Sequence, residues 1–153
     1  MTLRLLVTGR EGQVAQALLA KQTDDLQIEA LGRPTLDLTD PSSIDRAIAA
    51  FRHDVIVNAA AYTAVDKAES EEETAFAVNA TGAGNVAAAA AAAGLPIIHI
   101  STDYVFPGDK ATPYVETDPA GPQGAYGRSK MAGEVAVAAA NPRREEARAL
   151  DRD

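Results

Sequence analysis

Thirteen residues, Leu3-Arg4-Leu5-Leu6-Val7-Thr8-Gly9-Arg10-Glu11-Gly12-Gln13-Val14-Ala15, hold a strand pattern, a glycine turn and a helix start. The run from Leu3 to Thr8 is short, apolar and stopped by glycine, which is the pattern of a strand buried on both faces. Small residues then fall at positions 9, 12 and 15. Gly9 permits a sharp exit from the strand, Gly12 lets a pyrophosphate approach the backbone, and Ala15 lets the helix pack close to the sheet. Amides at the helix start would face the phosphates with the helix dipole behind them. Gly9, Gly12, Gln13 and Val14 are therefore candidate dinucleotide-binding residues.

Outward from this turn, strands and helices alternate. Gln27–Gly32 reads as a second strand and Thr35–Leu38 as a short third one. Asp40-Pro41 opens a helix with Asp at the N-cap and Pro at the first position. Asp54–Asn58 is another buried strand. A long helical region is expected over 71–93, ended by Gly94 and Pro96. Leu95–Ser101 reads as a strand, and a loop rich in Pro and Gly leads to a last helix over Ala125–Ala140. Alternation of this kind predicts an α/β fold with a doubly wound, Rossmann-like parallel sheet.

The 153 residues are 46% hydrophobic and 24% charged, enough for one domain with a sizeable core. The net charge of −8 argues against generic nucleic-acid binding. There is no cysteine, and His53 and His99 stand without a partnered ligand motif, so no metal site is read. No signal peptide and no apolar span of ~18 residues can be found, so a soluble, cytoplasmic protein without membrane contact is expected.

Three further features carry chemistry. Arg33 follows the second strand, where an NAD-specific site would place an acidic residue. A guanidinium suits a 2′-phosphate, so NADPH is favoured and NADH is the alternative. Tyr126 and Lys130 lie four apart on one helix face. A neighbouring ammonium stabilises a phenolate, so Tyr126 could donate a proton near neutral pH. Ser101-Thr102-Asp103 ends a strand, and open parallel sheets bind ligands at the carboxyl ends of their strands. Thr102 can hydrogen-bond a substrate oxygen there.

The segments Asn58-Ala59-Ala60-Ala61-Tyr62-Thr63-Ala64-Val65-Asp66-Lys67-Ala68-Glu69-Ser70 and Ser101-Thr102-Asp103-Tyr104-Val105-Phe106-Pro107-Gly108 carry a resemblance. With Glu116-Thr117-Asp118 and Tyr126-Gly127-Arg128-Ser129-Lys130-Met131-Ala132-Gly133-Glu134, they resemble the dTDP-4-dehydrorhamnose reductases. These belong to the extended short-chain dehydrogenases/reductases, and the resemblance runs from Leu3 to Ala140. It implies reduction of a dTDP-4-keto-6-deoxy sugar nucleotide to dTDP-L-rhamnose. Hydride would come from NADPH or NADH and the proton from Tyr126. Lys130 would bind the nicotinamide ribose, and Thr102 would orient the keto oxygen. The resemblance also implies a cofactor site along Gly9, Gly12, Gln13, Val14, Asp37, Leu38, Ala59, Ala60 and Ala61. The sugar site would be lined by Thr63, Val65, Asp103 and Tyr104.

After Ala140 the pattern departs from the resemblance. Eight of the thirteen residues from Asn141 to Asp153 are charged. A disordered or frayed tail is expected over 141–153, beyond a nucleotide-binding domain over 1–140. The family's C-terminal substrate region is expected to be missing. That would leave the sheet incomplete at its C-terminal edge, and self-association through the open edge is expected. Beside a reductase stand two other readings: a non-catalytic NADP-binding regulatory module and a non-functional fragment.

Overall fold

The structure, a computed structural model, describes residues 1–149. Five parallel strands form one sheet in the order β2-β1-β3-β4-β5. They are β1 (Leu3–Thr8), β2 (Leu26–Leu31), β3 (Val55–Asn58), β4 (Ile97–Thr102) and β5 (Arg144–Ala149). The helices are α1 (Gln13–Leu19), α2 (Pro41–Ala50), α3 (Val65–Ala68), α4 (Glu72–Phe76), α5 (Ala83–Ala92) and α6 (Ala125–Ala140). Among the described residues, no helix is long and apolar enough to cross a membrane.

Side chains alternate between two cores because successive residues of a strand face opposite ways. Leu5, Val7, Ile28 and Val57 meet Ala15 of α1 on one face. Leu6, Ile56 and Ile97 meet Ile44, Val86, Ala90 and Val137 of α2, α5 and α6 on the other. Asp40 caps α2 as its sequence implies, accepting from the Ser42 amide at 3.1 Å. The chain leaves β1 toward β2 on one side and later fills β3 on the other. The carboxyl ends of β1 and β3 therefore flank the point where strand order reverses, where open α/β sheets form their ligand crevice.

Three expectations are corrected. Residues 35–38 form no strand; Leu36 and Leu38 are buried, but from a loop tied by the Leu36 amide to the Gly32 carbonyl at 3.0 Å. The helical region over 71–93 is interrupted by a π-helical segment, Ala77–Gly82, between α4 and α5. The charged stretch after Ala140 is not a frayed tail as far as it is described, because Arg144–Ala149 is β5, paired in register with Ile97–Thr102. The pairing is made by backbone groups: the free amides and carbonyls along the edge of β4 are a template for another strand. Asn141 fixes the approach, donating to the Leu95 carbonyl at 3.0 Å and accepting from the Arg143 amide at 2.9 Å. The edge of β4 is thus covered, and among the described residues β5 is the outermost strand on that side. Residues 150–153 of the expected tail lie outside the described residues.

Candidate functional site

Gly9 leaves β1 with φ +88°, a left-handed conformation that glycine adopts without a Cβ penalty. A Cβ there would stand 3.1 Å from Ala60 Cα, so the exit of β1 packs directly on the exit of β3. Thr8 ties the same two exits. Its hydroxyl donates to Asn58 Oδ1 at 2.6 Å and accepts from the Ala60 amide at 3.2 Å. Gly12 is different: its backbone is extended, and a Cβ would meet nothing within 4 Å. Gly12 and Gln13 are exposed and Val14 is half-buried at the start of α1.

The glycine turn borders a cleft of about 1270 Å³, whose lining reaches Gly12 but does not include Gln13 or Val14. Gly9, Gly12, Arg33, Asp37, Leu38, Ala59, Ala60, Ala61 and Thr63 all line it. Arg10 lines it as well, a second guanidinium beside Arg33. Asp37 accepts from the Thr39 hydroxyl at 2.7 Å and amide at 2.8 Å. These bonds, with a smaller contribution from Arg33, hold its carboxyl below the ordinary range despite the opposing pull of burial.

The other expected residues gather where β4 meets α6. The Thr102 hydroxyl lies 3.4 Å from Asp103 Oδ1 and accepts from the Tyr104 amide at 3.3 Å. The Tyr104 and Tyr126 rings pack edge to face with centroids 5.5 Å apart. A Cβ on Gly127 would overlap the Tyr104 carbonyl oxygen, so only glycine lets α6 approach this turn so closely. Thr102 and Tyr126 are thereby brought to one corner through Tyr104. Val65 packs in the same apolar cluster as Tyr126, with Tyr62 and Ala125.

Lys130 is 3% exposed, one turn behind Tyr126, and its ammonium donates to the Ile100 carbonyl at 2.7 Å. Burial pushes it down to about 8, while the nearby Glu134 carboxylate pushes it back up. His99, also buried, faces the same region of β4. Burial and the Lys130 charge push it down to about 4, leaving it neutral at pH 7. Its Nδ1 pairs with Asn58 Nδ2 at 3.1 Å, so it accepts there.

Several residues of this corner were not legible as parts of a site. Asn79, in the π-helical segment, accepts from the Tyr62 amide at 2.8 Å and donates to the Tyr62 carbonyl and the Ser129 hydroxyl, each at 3.0 Å. It therefore clamps the Ala61-Tyr62-Thr63 wall onto α6. Glu69 caps α6, accepting from the Ala125 amide at 2.6 Å across 56 residues of sequence. A π-helical segment is a frequent mark of a functional region, but no residue spacing announces one.

The family model described as RmlD substrate binding domain matches residues 3–148. A dTDP-4-dehydrorhamnose reductase of Sinorhizobium fredii is 55% identical over 140 residues, covering 92% of this chain and 47% of the relative. A reductase of the same name from Mycobacterium tuberculosis is 49% identical over 145 residues, covering 91% and 47%. The crystal structure of a dTDP-4-dehydrorhamnose reductase from Bacillus anthracis in complex with NADP superposes with a TM-score of 0.93 at 36% identity. It covers 98% of this chain and 54% of that one. A UDP-glucose 4-epimerase from Thermus thermophilus in complex with NAD, 24% identical with a TM-score of 0.78, shares the fold. The chain spans about half the length of the curated relatives it matches. By the match along nearly its whole length, the chain belongs to the RmlD substrate binding domain family.

Proposed function

We propose that this chain is the cofactor-binding and proton-donating part of a dTDP-4-dehydrorhamnose reductase, which reduces dTDP-4-dehydro-L-rhamnose to dTDP-L-rhamnose. One juxtaposition carries the reading: a cleft lined by the Gly9–Gly12 turn and by Ala59–Ala61 lies at the carboxyl ends of β1 and β3, and Thr102, Tyr126 and Lys130 gather at the carboxyl end of β4, the next strand of the same sheet. The cleft fits a dinucleotide. The amides after Gly12 would receive the pyrophosphate, Ala59–Ala61 would form its wall, and Asp37 and Leu38 would reach the adenine end. Arg33 would meet a 2′-phosphate, which favours NADPH over NADH.

Bound NADPH supplies the hydride that reduces the keto carbon. As that carbon is reduced, negative charge develops on the sugar oxygen. Thr102 donates a hydrogen bond to that oxygen and orients it. The Tyr126 O–H breaks and its proton passes to the same oxygen, giving the alcohol and a phenolate. The Lys130 ammonium, one helical turn from Tyr126 and seated on the Ile100 carbonyl, stabilises that phenolate and would hold the nicotinamide ribose. Thr63, Val65, Asp103 and Tyr104 would contact the sugar. The outer edge of β5 is the place where self-association would occur.

The coverage of about half of each relative favours a second reading, a non-catalytic NADP-binding module. A chimera separates the two. Residues 1–140 replace the matching half of the 55%-identical relative, and NADPH oxidation is followed with dTDP-4-dehydro-L-rhamnose. The reductase reading expects turnover that Tyr126→Phe abolishes. A soluble, NADPH-binding chimera without turnover would favour the binding module.

A further inference from the structure

We propose that Glu134, clamped by Arg148 from β5, is a positioning residue that keeps the buried Lys130 ammonium charged and seated on β4. This inference rests on the reading of Lys130 as the group that tunes Tyr126.

Lys130 and Glu134 stand four apart on α6, so they share one helix face, and they are 3% and 4% exposed. A buried ammonium is costly unless an opposite charge accompanies it. The hydrogen-bond partner of Lys130 is a neutral carbonyl, Ile100, at 2.7 Å. The compensating charge is Glu134. Its two oxygens meet Arg148 as a fork, Nε to Oε1 at 2.9 Å and Nη2 to Oε2 at 2.6 Å. The Arg148 guanidinium lies 5.0 Å from the Phe106 ring centre, which braces it over the sheet edge. A planar guanidinium paired in this way fixes a carboxylate in orientation as well as in charge.

The surrounding groups leave Glu134 as the anion Lys130 feels. His99 on β4 is neutral at pH 7. Glu146 on β5 is raised by burial and by Glu134, and Glu134 is the carboxylate whose charge raises Lys130. Burial is the largest influence on Glu134 and raises it, but the Arg148 fork, the Ser101 hydroxyl and the Arg148 and His99 charges together hold the carboxyl below its ordinary value. Arg148 thus acts on Glu134, and Glu134 on Lys130. The fifth strand, four of whose six residues are charged, is through this fork and the Glu134 charge connected to the proton donor's corner.

The test is an NMR titration of the Lys130 side chain in the 153-residue protein, assigned by its loss in Lys130→Met. Native Lys130 is expected to titrate near about 8. In Glu134→Gln it should titrate lower by about one pH unit or more, the size an opposite charge at ~4–6 Å imposes. The double variant Glu134→Leu, Arg148→Met removes the fork without leaving Arg148 unpaired, keeps the test valid if Glu134→Gln does not fold, and should give the same shift. The NADPH affinity of either variant should fall off at correspondingly lower pH. A folded variant whose Lys130 titrates as in the native protein overturns the proposal. Failure of the native chain to bind NADPH would instead remove the cofactor reading, while the Lys130 titration would still decide this inference.

Discussion

Valine at position 12 and valine at position 9 should do opposite things. A Cβ at Gly12 meets nothing within 4 Å, and the backbone there is extended. Gly12→Val should therefore cost only the loss of a favourable N-cap residue, about 0.5–1 kcal/mol. A domain of this size loses ~2–4 °C per kcal/mol, so its Tm should fall by only ~1–4 °C. Gly9 has φ +88°, and its Cβ would press on Ala60 at 3.1–3.3 Å. The left-handed backbone alone costs about 1–2 kcal/mol for a residue with a side chain. With that contact added, Gly9→Val should cost ~2–3 kcal/mol and lower Tm by ~5–10 °C. Binding reverses the order of interest, because Gly12→Val fills the space where phosphate oxygens would reach the helix-start amides. Losing one or two charge-assisted hydrogen bonds, about 3 kcal/mol, means a fall in NADPH affinity of ~100-fold. Thermal melts and NADPH fluorescence titrations read the two effects separately. A folded Gly12→Val protein that binds NADPH within about threefold of native, under ~0.7 kcal/mol, would refute the placement of the phosphates.

Arg33→Ala should weaken NADPH about tenfold or more and leave NADH nearly unchanged; paired titrations check this, and an unchanged NADPH-to-NADH ratio would remove Arg33 from the argument. The pH dependence of stability should carry the mark of His99. It is held near about 4 in the fold against an ordinary 6.5, so the unfolded chain binds the extra proton between those values. Stability is therefore present above 6.5 and lost as pH falls toward about 4, by about 3 kcal/mol from this group. Urea unfolding across that window should lose that component in His99→Asn, and an unchanged slope would contradict the buried neutral imidazole. Finally, the 153-residue chain should bind NADPH without measurable oxidation of it by the keto sugar nucleotide. Holding a substrate to within ~1 Å is worth ~100-fold in rate, and this chain spans about half of its relatives. Sustained turnover by the 153 residues would contradict that expectation.

What could be read from the sequence was local. The strand-to-turn transition at Thr8–Gly9 and the full extent of α6, Ala125–Ala140, follow from short-range pattern, and both stand in the structure. The Tyr126–Lys130 spacing likewise places both residues on one face of a helix. Residues 35–38 misled because Leu36 and Leu38 are buried without pairing in the sheet. β5 misled in the opposite way: Arg144, Glu145, Glu146 and Arg148 gave no apolar signal, yet the exposed edge of β4 offers backbone partners whatever the side chains are. The fork between Glu134 and Arg148 and the Asn79 clamp join residues far apart in sequence, or at a helical irregularity, so no spacing in a single chain reveals them.

The most direct measurement is a crystal structure of the 153-residue chain with NADPH. It should place the pyrophosphate against the amides of Gly12–Val14 and the 2′-phosphate beside Arg33. The nicotinamide should lie at the corner of Thr102 and Tyr126, with its ribose over Lys130. A dinucleotide bound elsewhere, or absent from this cleft at saturating concentration in a folded protein, would contradict the account.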